Sequence, residues 1–234
     1  MERRQLMPTL LDRRARSLLA SILNVRCYNC IMTLPLEPNR RYTVEEYLEL
    51  EGVSPQDKFE YRNGHIINVR EALAMAGRSE EHCLVTANVI RALGNRLEGS
   101  PCRVYSNDLR VLIPQKTLFS YPDSTVVCGP AQFESHPRAG KTLTNPRLIV
   151  EVLSPSTELY DRGDKFSLYR EITSLVEYVL ISQSHPRIEC YFRRDDGGWT
   201  FGPYEGITAA AKLLSLNIEL PLKEVYAGIE FPVA

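Results

Sequence analysis

The clearest hydrophobic pattern in the chain lies at residues 147–154, which read RLIVEVLS. Apolar residues occupy both sets of alternating positions, which predicts a strand with both faces buried in the centre of a sheet. Glu151 stands in the middle of this run, with Ile149 and Leu153 on its own face. A buried, unpaired carboxylate is strongly unfavourable, so Glu151 is expected to have a cationic partner, a metal ion or an altered pKa.

Local signals predict two helices and a hairpin in the N-terminal half. Thr43 and Glu46 form a capping box, which begins a helix that extends to about residue 50. Asn63 and Gly64 stand between two β-rich runs and predict a tight hairpin turn. Ser79 can cap a longer helix that ends near residue 99, and its first turn is acidic, as the helix dipole favours.

The second half is mainly β in character. Four apolar or alternating runs predict strands at 103–113, 123–128, 147–153 and 176–182. A turn at 195–198 between two further runs predicts a hairpin, and the Gly- and Pro-rich segment 129–146 predicts a loop. Asp161 can cap a helix that runs to about residue 172. The order predicts an α/β (α+β) fold, in which helices flank a mixed sheet that carries an N-terminal helix and hairpin and a C-terminal β-hairpin.

Composition narrows the class of protein. The 234 residues are enough for one sizeable domain, and 44% hydrophobic with 24% charged residues is ordinary for a globular chain. A net charge of −1 argues against a passive DNA-coating protein. It does not exclude an enzyme that contacts phosphates through a local basic patch and a divalent ion. The sequence contains no apolar run of roughly 20 residues, the length that a membrane-spanning helix needs.

The six cysteines are scattered, and only Cys27 and Cys30 form a C-x-x-C pair. With no second pair, a four-thiolate zinc site is not predicted. Single cysteines in apolar runs, such as Cys128, are interpreted as small buried hydrophobic residues. The predicted compartment is the reducing cytoplasm.

Residues 1–31 differ in composition from the rest, with six arginines against two acidic residues. Such a segment is typical of an organelle transit peptide or of a non-structural extension. Ordinary domain signals begin at Met32. We therefore predict a disordered extension over 1–31 and a single domain over 32–234.

A second acidic residue accompanies Glu151. Asp123 follows Tyr121 and Pro122 at the head of the run 123–128, so two carboxylates lie on strands that can be neighbours. One or two carboxylates, with waters and substrate oxygens, are the ligands that Mg²⁺ prefers. The residues by themselves leave alternatives open. Glu151 could pair with an arginine, and Asp123 could simply shape the entry to its strand.

An ordered set of motifs resembles the PD-(D/E)XK nuclease superfamily, and within it the Uma-type endonuclease family. The motifs are 42–48 (YTVEEYL), 59–64 (FEYRNG), His82, 106–111 (SNDLRV), 121–123 (YPD), 151–157 (EVLSPST) and 160–166 (YDRGDKF). The resemblance runs from about residue 41 to the C-terminus. It implies a restriction-endonuclease-like fold and metal-dependent hydrolysis of phosphodiester bonds, with DNA as the expected substrate and Mg²⁺ or Mn²⁺ as the cofactor.

The same resemblance implies the site residues. Asp123 and Glu151 would bind the ion, with the Val152 backbone carbonyl as a further ligand. The superfamily lysine belongs two residues after the glutamate, where this chain has Leu153, and the family resemblance moves it to Lys165. Supporting roles are expected for residues elsewhere in the motifs: His82, Asp108 and Glu60.

Each of these residues also has a structural interpretation. Lys165 could be a surface residue paired with Asp161 one helical turn before it, and His82 could be a core histidine. Leu153 at the position of the superfamily lysine favours the alternative function, which is a catalytically inactive nuclease-like domain that binds nucleic acid or another protein. Cleavage of both strands of a duplex by one site per chain is simplest in a two-fold dimer, so a homodimer is expected. The sequence leaves open the target sequence, the choice between DNA and RNA, and the biological role.

Overall fold

The computed structural model describes residues 36–37, 40–54, 57–69, 79–113 and 118–231. The chain divides into two units, Met1–Asn39 and Arg40–Ala234, and the described helices and strands belong to the second. The predicted extension over residues 1–31 lies outside the described residues. None of the helices in the described ranges has the length and apolar character needed to cross a membrane.

The N-terminal elements follow their local signals. Helix α1 spans Val44–Val53, and both hydrogen bonds of the capping box are present: the Glu46 N–H donates to Thr43 Oγ1 (3.2 Å) and the Thr43 N–H to Glu46 Oε2 (2.8 Å). Strands β1, Phe59–Arg62, and β2, His65–Asn68, form the predicted hairpin. Its turn places Asn63 and Gly64 at positive φ, which these residues tolerate. Helix α2 then spans Glu80–Leu97, capped by Ser79.

Seven strands follow α2: β3 Cys102–Ser106, β4 Val111–Leu112, β5 Leu118–Ser120, β6 Ser124–Cys128, β7 Phe133–His136, β8 Gly140–Leu143 and β9 Leu148–Leu153. The prediction of one strand over 103–113 was wrong, because a turn after Ser106 separates β3 from β4 and sends them to different sheets. The predicted loop at 129–146 was also wrong in part, since it contains the β7–β8 hairpin.

A short helical segment, residues 158–169, joins β9 to the next strand. It consists of α3, Glu158–Tyr160, a π-helical turn, Asp161–Lys165, and α4, Phe166–Tyr169. Asp161 was expected to cap this helix, but it lies inside the segment and is buried. The remaining elements are β10 Glu177–Ser182, β11 Arg187–Arg193, β12 Trp199–Glu205, β13 Ala210–Leu213, β14 Ile218–Pro221 and α5 Leu222–Val225.

Two six-stranded mixed sheets form the body of the described domain. The central sheet has the order β12-β11-β10-β9-β6-β3, in which only β9 and β10 are parallel. The second sheet has the order β2-β1-β5-β4-β8-β7, and β13 and β14 form a separate pair. A parallel neighbour requires a crossover connection, which the helical segment 158–169 supplies between β9 and β10. The mixed fold is as predicted, but the second sheet was not foreseen.

The two faces of β9 contribute to different hydrophobic cores. Leu148, Val150 and Val152 belong to the core that includes α2, whereas Ile149 and Leu153 belong to the core that contains Tyr169 and residues of the second sheet. Every residue of β9 is buried, as the apolar pattern on both faces predicted. Glu151 therefore lies on the face that points towards the second sheet and the helical segment.

One cysteine interpretation was wrong. Cys102 and Cys128 are directly opposite each other in the antiparallel pair β3–β6, and they form a disulfide. Residues that face each other across antiparallel strands approach closely enough for this bond, although nothing in their sequence separation of 26 indicates the pairing. Cys190 fits the original interpretation, because it is buried and free. The Cys27–Cys30 pair lies outside the described residues.

Candidate active site

Strand pairing brings the two predicted acids to one end of the central sheet. Ser124 at the start of β6 pairs with Val150 of β9, so Asp123 lies beside the residues that follow Val150. Its Oδ2 accepts a 2.8 Å hydrogen bond from the Val152 N–H. A cavity of about 190 Å³ opens here, and the residues that line it are Glu60, Ile67, Val69, His82, Tyr121, Asp123, Glu151, Val152, Ser154, Thr157, Tyr160, Asp161 and Lys165.

Asp123 is held as a carboxylate. Burial by itself would raise its pKa, but hydrogen bonding and charge from neighbouring groups outweigh burial and lower the pKa below its usual value. The largest lowering contribution comes from His82, whose Nε2 lies 3.4 Å from Asp123 Oδ2. The Val152 N–H and the charge of Lys165 act in the same direction. Asp123 is therefore charged at neutral pH.

Glu151 is in the opposite state. Burial raises the pKa of Glu151 to about 8, and the negative charges of Asp161 and Asp123 add to this effect, while Lys165 opposes it. Its Oε1 lies 2.8 Å from Lys165 Nζ and accepts a 2.9 Å hydrogen bond from the Tyr169 hydroxyl. In the metal-free protein, Glu151 thus holds a proton over much of the neutral range. The expectation that this buried acid has a cationic partner or an altered pKa is met in both respects.

Lys165 points into the cavity. It is 6% exposed, and besides Glu151 its Nζ lies 3.4 Å from Asp161 Oδ1 and 3.9 Å from Glu60 Oε1. Burial by itself would lower the pKa of Lys165, but Glu151 and the other neighbours raise it well above its usual value. The lysine therefore stays protonated at neutral pH. Its position at the end of the π-helical turn directs the ammonium group towards β9.

Two neighbours of the predicted residues were missed as site residues. Asp161 was assigned to a helix cap, yet it is buried and faces Lys165; its spacing of four residues from Lys165 was the signal that could have found it. Tyr169 lies one helical turn after Lys165 and was not named as a site residue. Its hydroxyl bonds both Glu151 and Ser120, which fixes the glutamate.

The supporting residues divide into two groups. His82 and Glu60 line the cavity. Glu60 is held by the Tyr121 N–H (3.2 Å), and the Tyr121 hydroxyl donates in turn to Glu51 (2.7 Å). Asp108 is elsewhere: it is exposed in the turn after β3, and its Oδ1 lies 2.5 Å from Lys58 Nζ. The structure thus brings His82 and Glu60, but not Asp108, to the two acids.

The donor atoms of the cavity fit a hard divalent cation. Among the described residues, one oxygen of each acid, Asp123 Oδ1 and Glu151 Oε2, accepts no hydrogen bond, and both residues line the cavity. Two carboxylate oxygens with room for waters and a phosphate oxygen match the preference of Mg²⁺ or Mn²⁺. The cavity acids would hold such an ion in place of the proton that Glu151 carries.

A different acidic group lies between α1 and β7 of the second sheet. In the described ranges, the group of three residues whose ligand atoms all lie within 4.8 Å of one another is Glu45, Glu49 and His136. Glu49 is paired with Arg138, and the group does not line the cavity of Asp123 and Glu151. It was not predicted from the sequence, and it is distinct from the site that the motifs indicate.

Comparison with known proteins agrees with the fold. A solved structure described as "a putative nuclease belonging to DUF820" from Anabaena variabilis superimposes with a TM-score of 0.60, at 17% identity, over 79% of this chain and 97% of that chain. Two Synechocystis proteins are similar in sequence. "Uncharacterized protein slr1290" is 34% identical over 84% of this chain and 97% of its own length. "Uncharacterized protein sll1609" is 32% identical over 75% of this chain and 94% of its own length.

The family model Uma2, described as "Putative restriction endonuclease", matches residues 44–223, which is more than half of the chain. The matched range begins with α1 and includes both cavity acids, Lys165 and the whole central sheet. The resemblance that the motifs suggested is therefore confirmed at the level of the family. This chain belongs to the Uma2 family of restriction-endonuclease-like proteins.

Proposed function

We propose that this protein is a metal-dependent endonuclease that hydrolyses phosphodiester bonds, with DNA as its substrate. Asp123 and Glu151 bind one Mg²⁺ or Mn²⁺ ion, with the Val152 carbonyl as a further ligand, and Lys165 assists the reaction. The observation that carries the proposal is the position of Lys165. Its ammonium group reaches Glu151 at 2.8 Å from the helical segment, although the strand position that should hold the lysine is Leu153.

The residues of the chain have separate tasks in this proposal. A bound divalent ion lowers the pKa of its water and neutralises charge on the phosphate. Asp123, held as a carboxylate by His82 and the Val152 N–H, is the ligand that is ready at any neutral pH. Glu151 must lose its proton to become the second ligand, so ion binding and proton release are linked at this residue.

Lys165 acts as a cation rather than as a base. Its pKa is raised well above the usual value, so it does not accept a proton from water at neutral pH. A fixed ammonium group at the cavity can orient the attacking water or stabilise the charge that develops on the phosphate oxygens. Asp161 and Glu60 keep this ammonium group charged and fixed in place.

The test is a plasmid-nicking assay with Mn²⁺ or Mg²⁺. Wild type should convert supercoiled plasmid to nicked or linear forms, and EDTA should stop the reaction. Asp123→Asn and Glu151→Gln should lose both cleavage and Mn²⁺ binding by calorimetry, because each removes an anionic ligand while it keeps the shape of the side chain. The matched control is Glu177→Gln, which neutralises a buried glutamate of β10 that is hydrogen-bonded to Ser215 outside the cavity and should leave cleavage intact.

An inactive domain is the alternative outcome of the same experiment. Wild type that folds and binds DNA, but neither binds Mn²⁺ nor nicks plasmid, would replace the nuclease proposal with a nucleic-acid-binding role. Equal activity of wild type and Glu151→Gln would exclude this cavity as the active site.

A further inference from the structure

Tyr160 lines a part of the cavity that the proposed metal chemistry does not use, and Arg62 lies against the Tyr160 ring. Glu60 and Arg62 are two residues apart on β1 and so project from the same face of the strand, and Glu60 lines the cavity. Tyr160, at the end of α3, lines the cavity as well. The Arg62 guanidinium carbon lies 4.5 Å from the centroid of the Tyr160 ring, and Lys165 Nζ lies 5.9 Å from the same centroid.

Within the described ranges, Arg62 carries a charge that no acidic residue pairs with. Among the described residues no carboxylate lies within ion-pair distance of it, although the side chain is half-buried. Arg162 of the π-helical turn differs, because it pairs with both Glu158 and Glu189. Contact with an aromatic face orients a guanidinium but leaves its N–H donors available. Arg62 is therefore a cation of fixed orientation whose N–H groups can still donate hydrogen bonds to a ligand.

The Tyr160 hydroxyl also has an unused hydrogen-bond donor. The Arg62 guanidinium lies against its ring, and the hydroxyl is buried with no acceptor for its proton among the described residues. A buried hydroxyl without a partner is unfavourable and uncommon in folded proteins. Such a group is often completed by a ligand. Two groups with unmet donor capacity thus lie together, beside Lys165.

We propose that the Arg62 guanidinium and the Tyr160 hydroxyl form a phosphate-binding subsite, which holds a backbone phosphate of the nucleic-acid strand next to the two acids. This inference rests on the proposed function for the identity of the strand as substrate. A phosphodiester offers acceptor oxygens only, and a planar guanidinium can donate to two of them at once. The hydroxyl donates to the same group, so the subsite would fix the strand along the cavity.

The test measures binding apart from cleavage. Fluorescence anisotropy of a short labelled DNA duplex is recorded in EDTA and with Ca²⁺ in place of Mg²⁺ or Mn²⁺, over a range of salt concentrations. Arg62→Ala should weaken binding roughly 10- to 100-fold, since it removes charge-assisted hydrogen bonds. It should also reduce the slope of log affinity against log salt by about 1, which is the signature of one lost phosphate contact. Mn²⁺ affinity and the melting temperature should be unchanged.

Three further variants sharpen the result. Arg62→Lys keeps the charge but not the forked geometry, so it should keep the salt slope and lose part of the affinity. Tyr160→Phe removes only the hydroxyl and should weaken binding with the salt slope unchanged. Arg170→Ala is the matched control: Arg170 is exposed and also lies over an aromatic ring, Phe166, that does not line the cavity. Its removal should leave duplex affinity and slope close to wild type.

The outcomes separate this inference from the proposed function. Unchanged duplex affinity and salt slope in Arg62→Ala would overturn the subsite even if wild type cleaves DNA. A wild type that binds no duplex in either buffer would overturn it as well. Loss of binding in Arg62→Ala, in a protein that never cleaves, would support the subsite while the hydrolytic proposal fails. If Arg62→Ala does not fold, the comparison of Arg62→Lys and Tyr160→Phe decides.

Discussion

At the scale of single residues, the cavity shifts the pKa values of two chemically similar carboxylates in opposite directions. Asp123 has its pKa lowered because His82 and a backbone N–H stabilise its charge, whereas burial raises that of Glu151 to about 8. Neighbouring acids with opposite shifts are typical of functional sites. A carboxylate kept charged and another kept protonated also avoid the repulsion that two buried anions would cause without a metal ion.

The raised pKa of Glu151 predicts how stability depends on pH in the metal-free protein. The folded state binds more protons than the unfolded state between the ordinary value of 4.5 and about 8, so the free energy of unfolding falls as pH rises through that window. Glu151→Gln removes this loss. In EDTA, the variant should be more stable than wild type by roughly 1–4 kcal/mol at the top of the window, and similar to it below the window.

Denaturant unfolding at a series of pH values measures this difference. Glu224→Gln is the control, because a hydrogen bond from Arg96 lowers the pKa of Glu224 and its neutralisation should not increase stability at high pH. A wild-type stability that rises with pH relative to Glu151→Gln would contradict the protonated state of Glu151. It would mean that Lys165 stabilises the glutamate as a charged ion pair.

We expect Lys165 to contribute to the rate of cleavage and not to the affinity for the metal ion. Lys165→Met keeps much of the side-chain volume and removes the charge, and we expect cleavage to fall about 10²–10³-fold while Mn²⁺ binding is kept or improved. Single-turnover cleavage and calorimetry on the same preparation measure the two quantities. Lys141→Met, which removes the charge of an exposed lysine beside Phe133, is the control. Loss of Mn²⁺ binding in Lys165→Met would show that the lysine organises the acids instead.

At the scale of elements, the helical segment 158–169 decides where Lys165 points. Arg162 fastens this segment to the central sheet, because it pairs with Glu158 in the segment and with Glu189 on β11. Glu189 is 2% exposed and also pairs with Arg187. A buried carboxylate between two arginines thus holds the turn that carries the ammonium group.

Removal of this link should be costly. Glu189→Ala removes the buried partner of Arg162 and Arg187, which keep only Glu158 and Glu205, so we expect the free energy of unfolding to fall by about 1–3 kcal/mol. Cleavage should fall as well, since the segment with Lys165 loses its anchor. Glu205→Ala is the matched control, because Glu205 also pairs with Arg187 but is largely exposed; such pairs contribute about 0–1 kcal/mol. Equal stability of the two variants, measured by urea unfolding, would refute the anchoring role.

At the scale of the whole molecule, two predictions concern what lies beyond the central domain. The composition break before Met32 predicts that residues 1–31 are dispensable for folding. A protein that begins at Met32 should melt within a few degrees of the full-length chain. The family match from residue 44 is compatible with this prediction, which no described residue tests. A large drop in melting temperature, or insolubility, would show that the segment packs on the domain.

The second whole-molecule prediction is the homodimer. One cavity per chain and two strands in a duplex favour a two-fold pair of sites. Light scattering at micromolar concentration should therefore return twice the chain mass of 26.6 kDa. A monomer mass, unchanged when a DNA duplex is added, would contradict it.

The Cys102–Cys128 disulfide removes one argument for the predicted cytoplasmic location. Stable disulfides are rare in reducing compartments, and the location was inferred in part from cysteines that were taken as unpaired. The cytoplasmic location stays a prediction.

The sequence by itself determined the local elements and the identity of the two acids. The capping box at Thr43, the turn at Asn63 and the doubly apolar run around Glu151 depend on neighbours within a few residues, so they could be read directly. The motifs indicated the family, and an isolated acid in a buried strand indicated a special environment for Glu151. These signals are local because hydrogen bonding in caps and turns and the alternation of strand faces are local.

Only the tertiary structure decided which distant residues meet. The second sheet, the disulfide and the approach of Glu60 to Lys165 depend on strand order and register, which no local pattern encodes. Asp108 is the opposite case. It lies in a family motif and was expected near the site, but a turn directs it to Lys58 and away from the cavity. Arg62 looked like one more polar residue of a hairpin. Packing against Tyr160 from a segment almost a hundred residues later makes it a candidate ligand for phosphate.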